Sequence, residues 1–291
     1  MKILILFYLL IIIAIISPKS PPTPAQDADA AWLSYKIYDG VNTMDTDSGY
    51  VFHSHDSDRH GAYCLWKQRK TGECYIVMRG TKTLDDIFTD LSCAEFVDDE
   101  IQVKVHYWVR SRTKFIFDDI GDKLKACNED IIVTGHSLGG AIAHYLYLIY
   151  IKKHSEDWAF WHKDKAEKFK AVLFGTPVLM TMSGKENLNH YNEYIHCYQY
   201  RMDFVPSLVY FIQNSDNYKM LALFLRSIGF VIAREAYDTL QTVSYGNSLP
   251  GFKYTLLSDD PKIIIPFSVG FNFPTNLGIA DHMNMAKIVD I

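Results

Sequence analysis

Residues 131–140 read IIVTGHSLGG, and this stretch decides the fold. An apolar, β-branched run leads into a Gly-x-Ser-x-Gly turn made by Gly135, Ser137 and Gly139, and an apolar helical pattern begins at Ala141. Strand, sharp turn and helix form the context in which such a motif presents a nucleophilic serine. Because glycine has no Cβ, it relieves crowding in a tight turn. The pattern therefore predicts an exposed Ser137 hydroxyl at a helix N-terminus, and the alternative is an ordinary strand-to-helix turn.

The composition fits one large domain with a substantial core. The chain has 291 residues, of which 48% are hydrophobic, and its net charge is −5. A chain of this length can bury enough apolar surface to fold as one unit. The sequence has no basic stripe and no nucleic-acid-binding module, so nucleic acid is excluded as a partner. A single domain is expected over residues 31–291.

The N-terminus is typical of a secretory signal. Lys2 precedes an unbroken apolar run over residues 3–16, which as a helix would span about 21 Å, less than the roughly 30 Å hydrocarbon core. We therefore expect a signal peptide over residues 1–17 and a secreted or extracytoplasmic protein, the alternative being an uncleaved signal that anchors it to the membrane. Residues 18–30 are predicted to be a proline-rich tether.

Cysteine usage leaves the disulfide pairing open. The chain has five cysteines, Cys64, Cys74, Cys93, Cys127 and Cys197. In an oxidising compartment this number allows one or two disulfides with one thiol left over. Cys64 and Cys74 lie on neighbouring strands of a predicted hairpin, but spacing does not establish a bond between them. No cysteine or histidine spacing typical of a metal site is present, so no metal is expected.

Strands alternate with helices along the chain, which predicts a parallel sheet with helices on both faces. Residues 31–45 begin as a helix and then turn, and residues 108–125 form a second helix. Strands are predicted at 63–66, 73–78, 103–106, 131–134, 169–174 and 194–200. In such sheets functional residues collect beyond the carboxyl ends of the strands. The side chains that follow strands are Thr81, Ser137, Thr176 and Asp203.

A serine hydroxyl needs a base to take its proton and a carboxylate to orient that base. After a nucleophile elbow the acid precedes the histidine in the chain. His282 follows every plausible acid, so it is the predicted base. Asp203 follows a strand and precedes Pro206, which fixes a loop, so it is the predicted acid. The rival acids are Asp216, Asp238, Asp259, Asp260 and Asp281; the earlier histidines are His144, His154, His162, His190 and His196.

Two hydrogen-bond donors must stabilise the oxyanion that forms when the hydroxyl attacks a carbonyl carbon. One is the N–H of Leu138, the residue after the nucleophile. The other should come from the loop after an earlier strand, where Thr81 lies; the alternative is an ordinary threonine at a strand end.

These motifs together resemble the class 3, or fungal-type, lipases of the α/β-hydrolase superfamily. The matching pieces are residues 77–81, 135–141, 174–177, 203–206 and 281–282. The resemblance implies an α/β-hydrolase fold and hydrolysis of lipid carboxylic esters by Ser137, Asp203 and His282, with no cofactor. It also implies a lid at about residues 82–90, whose apolar face would be Leu84, Ile87 and Phe88 at helical spacing. The alternative for this segment is a fixed loop between a strand and a helix.

The resemblance leaves substrate and role open. Expected partners are a lipid ester, of the triacylglycerol or monoacylglycerol type, and a lipid–water interface or membrane surface. A phospholipase A1 and a non-catalytic, membrane-anchored lipid-binding protein are the alternatives. The chain departs from the family at His106-Tyr107-Trp108-Val109, which is bulkier, and at Met285, where a tyrosine is common. An apolar stretch at residues 220–233 cannot be aligned with the family and is interpreted as a core helix, the alternative being a wall of the acyl pocket or a membrane-contact face.

Overall fold

The computed structural model describes residues 20–57, 61–80, 95–156, 168–177, 179–182, 194–200, 254–257 and 265–267. Within them the α-helices are α1 (Pro24–Lys36), α2 (Tyr107–Ile120) and α3 (Leu138–Glu156), and short 3₁₀ turns lie at Ile37–Asp39, Val41–Thr43 and Lys123–Ala126. The strands are β1 (Gly49–Ser57), β2 (Gly61–Gln68), β3 (Cys74–Met78), β4 (Glu95–Asp98), β5 (Val103–His106), β6 (Ile131–His136), β7 (Phe169–Phe174), β8 (Met180–Met182), β9 (Ile195–Tyr200), β10 (Tyr254–Leu257) and β11 (Ile265–Phe267).

A largely parallel sheet organises this part of the chain. Its described strands run in the order β1-β2-β3-β6-β7-β9-β10-β11. The pairs from β3 to β10 are parallel, and the pairs at the two edges are antiparallel. A smaller antiparallel sheet has the order β4-β5-β8. The prediction of a mostly parallel central sheet is confirmed, whereas β1 and the smaller sheet were not predicted.

Helices cover both faces of the large sheet, as predicted. Because side chains alternate along a strand, β3 supplies two cores. Ile76 and Met78 pack in the cluster that contains α2 and α3. Tyr75 and Val77 pack in the cluster that contains α1. Strands buried on both faces read as continuous apolar runs, which is why β6 and β7 were recognisable from the sequence.

Helix α1 begins earlier than the sequence suggested. Thr23 and Gln26 form a reciprocal capping box, and Pro24 occupies the first turn, where its missing N–H costs nothing. Residues 24–30, predicted as part of a tether, are therefore the first two turns of a packed helix. Ala30 within this segment is fully buried.

Polar contacts fix α1 to the sheet. His196 Nδ1 and the Tyr198 hydroxyl, both on β9, lie 3.0 and 2.7 Å from the Asp27 carboxylate. Further along the helix, the Ser34 hydroxyl lies 2.8 Å from that of Thr134 on β6. Helix α1 is thereby aligned with the strand that carries the Gly-x-Ser-x-Gly turn.

A disulfide joins Cys74 at the start of β3 to Cys127 before β6, with their Cα atoms 6.0 Å apart. Cys64 and Cys197 are buried free thiols. The hairpin neighbours Cys64 and Cys74 do not pair, because Cys64 lies opposite Val77 in the register. The remaining cysteine lies outside the described residues.

None of the helices in the described ranges is long and apolar enough to span a membrane. The predicted signal peptide over residues 1–17 and the apolar stretch at 220–233 lie outside those ranges.

The carboxylate of Asp119 on α2 accepts hydrogen bonds that change its pKa. It accepts hydrogen bonds from Lys123 Nζ at 2.8 Å, from His53 Nε2 at 2.5 Å and from the Tyr63 hydroxyl. Desolvation opposes the shift, but the bonds from Lys123, Tyr63 and His53 hold the pKa of Asp119 below its usual range. A carboxylate with a lowered folded-state pKa stabilises the protein above its ordinary pKa, and this contribution is lost as the pH falls through the folded-state value.

We expect Asp119→Asn to lower the free energy of unfolding at pH 7 by about 1–2 kcal/mol, the scale of hydrogen bonds to a charged group. The difference from wild type should shrink as the pH falls below about 4, where the unfolded carboxylate begins to take up protons. Urea unfolding at pH 7, 5, 4 and 3 measures both effects. The exposed neighbour Asp118→Asn is the matched control and should change little. An Asp119→Asn difference that is constant over this pH range would contradict the assignment.

Candidate active site

Ser137 forms a strained turn between β6 and α3. It is the single residue between the end of the strand at His136 and the start of the helix at Leu138, and its φ is 58°. Residues other than glycine adopt this left-handed conformation at a cost of order 1–2 kcal/mol, and such strain concentrates at functional sites. The Ser137 N–H donates to Phe174 O at 2.9 Å, and the Ser137 carbonyl accepts from Gly140 N at 2.9 Å. The turn is therefore held from both sides.

The glycines of the turn allow direct contact between backbones. A Cβ on Gly135 would lie 2.5 Å from the carbonyl carbon of Gly139, and one on Gly139 would lie 2.3 Å from the carbonyl oxygen of Met78. Real Cβ atoms do not approach other atoms so closely. The end of β3 therefore packs against the turn without an intervening side chain, which explains the residue types of the motif.

The Ser137 side chain is buried, with 1% of the residue exposed. The prediction of an exposed hydroxyl is wrong, because the turn lies beneath the surface. Within the described residues, Ser137 Oγ has no hydrogen-bond partner. Buried polar side chains usually have a hydrogen-bond partner, so the lack of one within the described residues marks Ser137 Oγ as a candidate reacting group.

The start of α3 provides a donor beside this hydroxyl. Leu138 is the first helical residue, and the first N–H groups of a helix have no acceptor within it. The helix dipole adds partial positive charge at the same end. The Leu138 N–H is therefore suited to an oxygen that becomes negative during attack by Ser137.

The strands that precede Thr81 and Asp203 in the chain are parallel to β6, so all three strands end at the same edge of the sheet. Met78 on β3 pairs with Gly135 on the parallel strand β6, and Thr81 follows three residues later. Phe174 on β7 pairs with Tyr198 on β9, and Asp203 follows three residues after β9 ends. Thr81, Asp203, His282 and the predicted lid residues Leu84, Ile87 and Phe88 themselves lie outside the described residues, so their roles stay predictions.

Residues 75–212 match the family model described as lipase (class 3). These residues belong to the class 3 lipase family. The segment contains the Ser137 elbow and the strand ends on both sides of it. A lipase hydrolyses carboxylic esters of lipids, so the chain is a carboxylic ester hydrolase. No curated protein matches the chain.

Solved lipase structures share the fold. A triacylglycerol lipase described as having a serine protease triad as its catalytic centre is 17% identical, with a TM-score of 0.50, over 63% of this chain and 73% of that one. The lipase of Rhizopus microsporus var. chinensis is 19% identical over 65% and 71%, with a TM-score of 0.48. The Rhizomucor miehei lipase in its propeptide complex is 18% identical over 62% and 60%, also with a TM-score of 0.48. The match to the first shows that the class 3 lipase segment has the α/β-hydrolase fold.

Two rival histidines of the lipase segment are placed away from Ser137. His196 lies beside Val172 in the sheet register and contacts Asp27. His144 is buried and lies seven residues further along α3 than Ser137, or about 10 Å along the helix axis. A general base must come within about 3 Å of the hydroxyl, directly or through one water. Neither position suits that role.

Thr176, the remaining strand-end residue, supports the lipase elbow sterically. It is buried, and a Cβ on Gly140 would lie 2.1 Å from its Oγ1. The loop after β7 therefore closes tightly on the first turn of α3.

Sequence reasoning missed one residue at the elbow, Tyr38. Its hydroxyl lies 3.2 Å from Nδ1 of His136, the residue before Ser137. The only signal in the sequence was the helical spacing of Trp32, Tyr35 and Tyr38, which predicted no more than the start of a helix in residues 31–45. A contact between residues 98 positions apart could not be read from that spacing.

Proposed function

We propose that this chain hydrolyses lipid esters of the glyceride type through a triad of Ser137, His282 and Asp203. The observation that carries the proposal is the Ser137 turn at the start of α3. Its backbone is left-handed, and its buried hydroxyl has no hydrogen-bond partner in the part of the chain that the structure describes. The family match and the fold support ester hydrolysis as the reaction class, and the turn supplies a suitable nucleophile.

In the proposed reaction, His282 accepts the Ser137 proton as Oγ attacks the ester carbonyl carbon. The Leu138 N–H and the Thr81 backbone and hydroxyl donate to the resulting oxyanion. The carbon–oxygen bond of the ester then breaks, and the leaving alcohol takes its proton from His282. Water activated by His282 hydrolyses the acyl-enzyme and regenerates the Ser137 hydroxyl. Asp203 keeps the imidazole in the required tautomer and orientation throughout.

The placement of strand ends supports Thr81 and Asp203. They follow β3 and β9, and the strands of this sheet from β3 to β10 are parallel. Carboxyl ends of parallel strands meet at one edge, where ligands bind in open α/β sheets. The triacylglycerol lipase that shares the fold is itself described as having a serine protease triad.

The burial of Ser137 requires a way for substrate to reach it. Ser137 is 1% exposed, so substrate needs covering residues to move, which is the role proposed for a lid at residues 82–90 with Leu84, Ile87 and Phe88 on its apolar face. Such a face would then contact the lipid–water interface.

The Cys74–Cys127 disulfide fits an oxidising compartment, as secretion through a signal peptide at residues 1–17 would provide.

A fluorophosphonate probe tests the nucleophile directly. We expect one label per chain, mapped to Ser137 by peptide mass spectrometry. His282→Ala and Asp203→Asn should each reduce the labelling rate below about a tenth of wild type, because the serine then lacks its base or the orientation of that base. Exposed Asp47→Asn is the matched control for the acid and should label normally. A folded, unlabelled wild-type protein would instead favour the non-catalytic lipid-binding alternative.

Hydrolysis of triacylglycerol, monoacylglycerol and phosphatidylcholine, each at matched interfacial area, tests the substrate class. Faster release of fatty acid from the glycerides supports the proposal. Faster release from the sn-1 position of phosphatidylcholine would replace it with a phospholipase A1 activity.

A further inference from the structure

Tyr38 contacts both strand ends that flank the nucleophile. It lies in the 3₁₀ turn Ile37–Asp39, which follows α1. Its hydroxyl is 3.2 Å from His136 Nδ1, and the two rings meet edge to face with centroids 5.9 Å apart. The hydroxyl also packs against Gly80, just after β3. A Cβ on Gly80 would lie 2.6 Å from this hydroxyl, so the fit is close.

The Tyr38 hydroxyl and His136 Nδ1 share one hydrogen bond, and the tautomer of the imidazole decides which of the two donates. Burial raises the pKa of Tyr38 above its ordinary value, so the phenol stays protonated and the bond is kept wherever an ester hydrolase would work.

Gly80 links the Tyr38 hydroxyl to the turn that carries Ser137. A Cβ at this position would lie 2.6 Å from the His136 carbonyl oxygen and 3.3 Å from the Gly139 nitrogen. Gly80 therefore packs directly against both the tyrosine hydroxyl and the Ser137 turn. Thr81 is the next residue in the chain.

We propose that Tyr38 is a positioning residue for the oxyanion donors. Its hydroxyl holds Gly80 and His136 in a fixed relation, and thereby fixes the separation of the Thr81 donor from the Leu138 N–H. This inference rests on the proposed function of Ser137 and Thr81. Oxyanion donors act at 2.7–3.1 Å from the developing charge, and a displacement of about 1 Å costs up to 100-fold in rate. Ground-state binding depends far less on that spacing.

The test is Tyr38→Phe in the full chain, with Tyr35→Phe as the matched control. Tyr35 lies three residues earlier and is 36% exposed, so its variant should retain wild-type kinetics. We expect Tyr38→Phe to lower kcat for p-nitrophenyl butyrate by about 10- to 100-fold with KM changed less than twofold. Binding of a trifluoromethyl ketone, which forms a tetrahedral adduct with the serine, should weaken by the same factor as kcat/KM.

Thermal unfolding of both variants sets a temperature at which each is fully folded, and kinetics are compared there. A wild-type kcat for folded Tyr38→Phe overturns the inference. So does a rise in KM with kcat preserved, because that pattern belongs to altered substrate binding. Failure of the proposed function is distinguishable, since wild type itself would then neither hydrolyse the ester nor accept the fluorophosphonate label at Ser137.

Discussion

Ser137→Ala should lower kcat for short p-nitrophenyl esters by at least about 10⁴-fold, since removal of a triad nucleophile leaves only the contribution of the oxyanion donors and of binding. The free energy of unfolding should change by less than about 1 kcal/mol. Ser137 Oγ has no hydrogen-bond partner within the described residues, so its removal leaves no described group unsatisfied. Alanine and serine also meet similar strain at a φ of 58°.

Ester hydrolysis and urea unfolding, measured on the same preparations, check both parts of this expectation. Ser48→Ala, at an exposed position, controls for loss of a serine hydroxyl and should keep full activity. Retained turnover in a folded Ser137→Ala protein would reject Ser137 as the nucleophile and, with it, the proposed triad.

Local pattern predicted much of the sheet that carries Ser137. Strands β6 and β7 are apolar, β-branched or aromatic runs bounded by polar residues, and β7 was predicted with the bounds that the structure shows. These strands lie at the centre of the sheet, buried on both faces, so most of their residues are apolar. The elbow could also be predicted, because its glycines form a short local motif. The structure shows why they are needed: Gly135 and Gly139 contact each other and the end of β3.

Elements and side chains whose partners lie far away in the chain could not be predicted from local sequence patterns. Strand β8 has three residues and pairs with β5, whose partner residues lie more than seventy positions earlier. Lys170 was counted within an apolar strand, yet it is 1% exposed and lies 2.6 Å from Asp130. A buried lysine needs an oppositely charged or hydrogen-bonding partner, and sequence spacing does not indicate which residue that is. The Tyr38 bridge to Gly80 and His136 was missed for the same reason.

The strongest effect on stability is expected from Gly139→Ala. A Cβ at this position would lie 2.3 Å from Met78 O and 2.8 Å from Gly80 N. Both are backbone atoms, so no side-chain rotation can relieve the clash, and β3 must move away from the elbow. Overpacking of this kind costs about 1–3 kcal/mol and at times more; with two backbone contacts we expect about 3 kcal/mol. Activity should fall as well, because the displaced backbone leads directly to Thr81.

Gly121→Ala is the matched control for this substitution. Gly121 lies at the end of α2 with right-handed φ and ψ of −51° and −49°, and the nearest atom to an added Cβ is 3.7 Å away. Alanine restricts the unfolded chain there without strain, so stability should rise by about 0.4–1 kcal/mol. Urea unfolding of both variants separates a specific clash from a general effect of alanine. If Gly139→Ala were as stable as wild type, β3 would not approach the elbow this closely, and Tyr38 could not fix the oxyanion donors through Gly80.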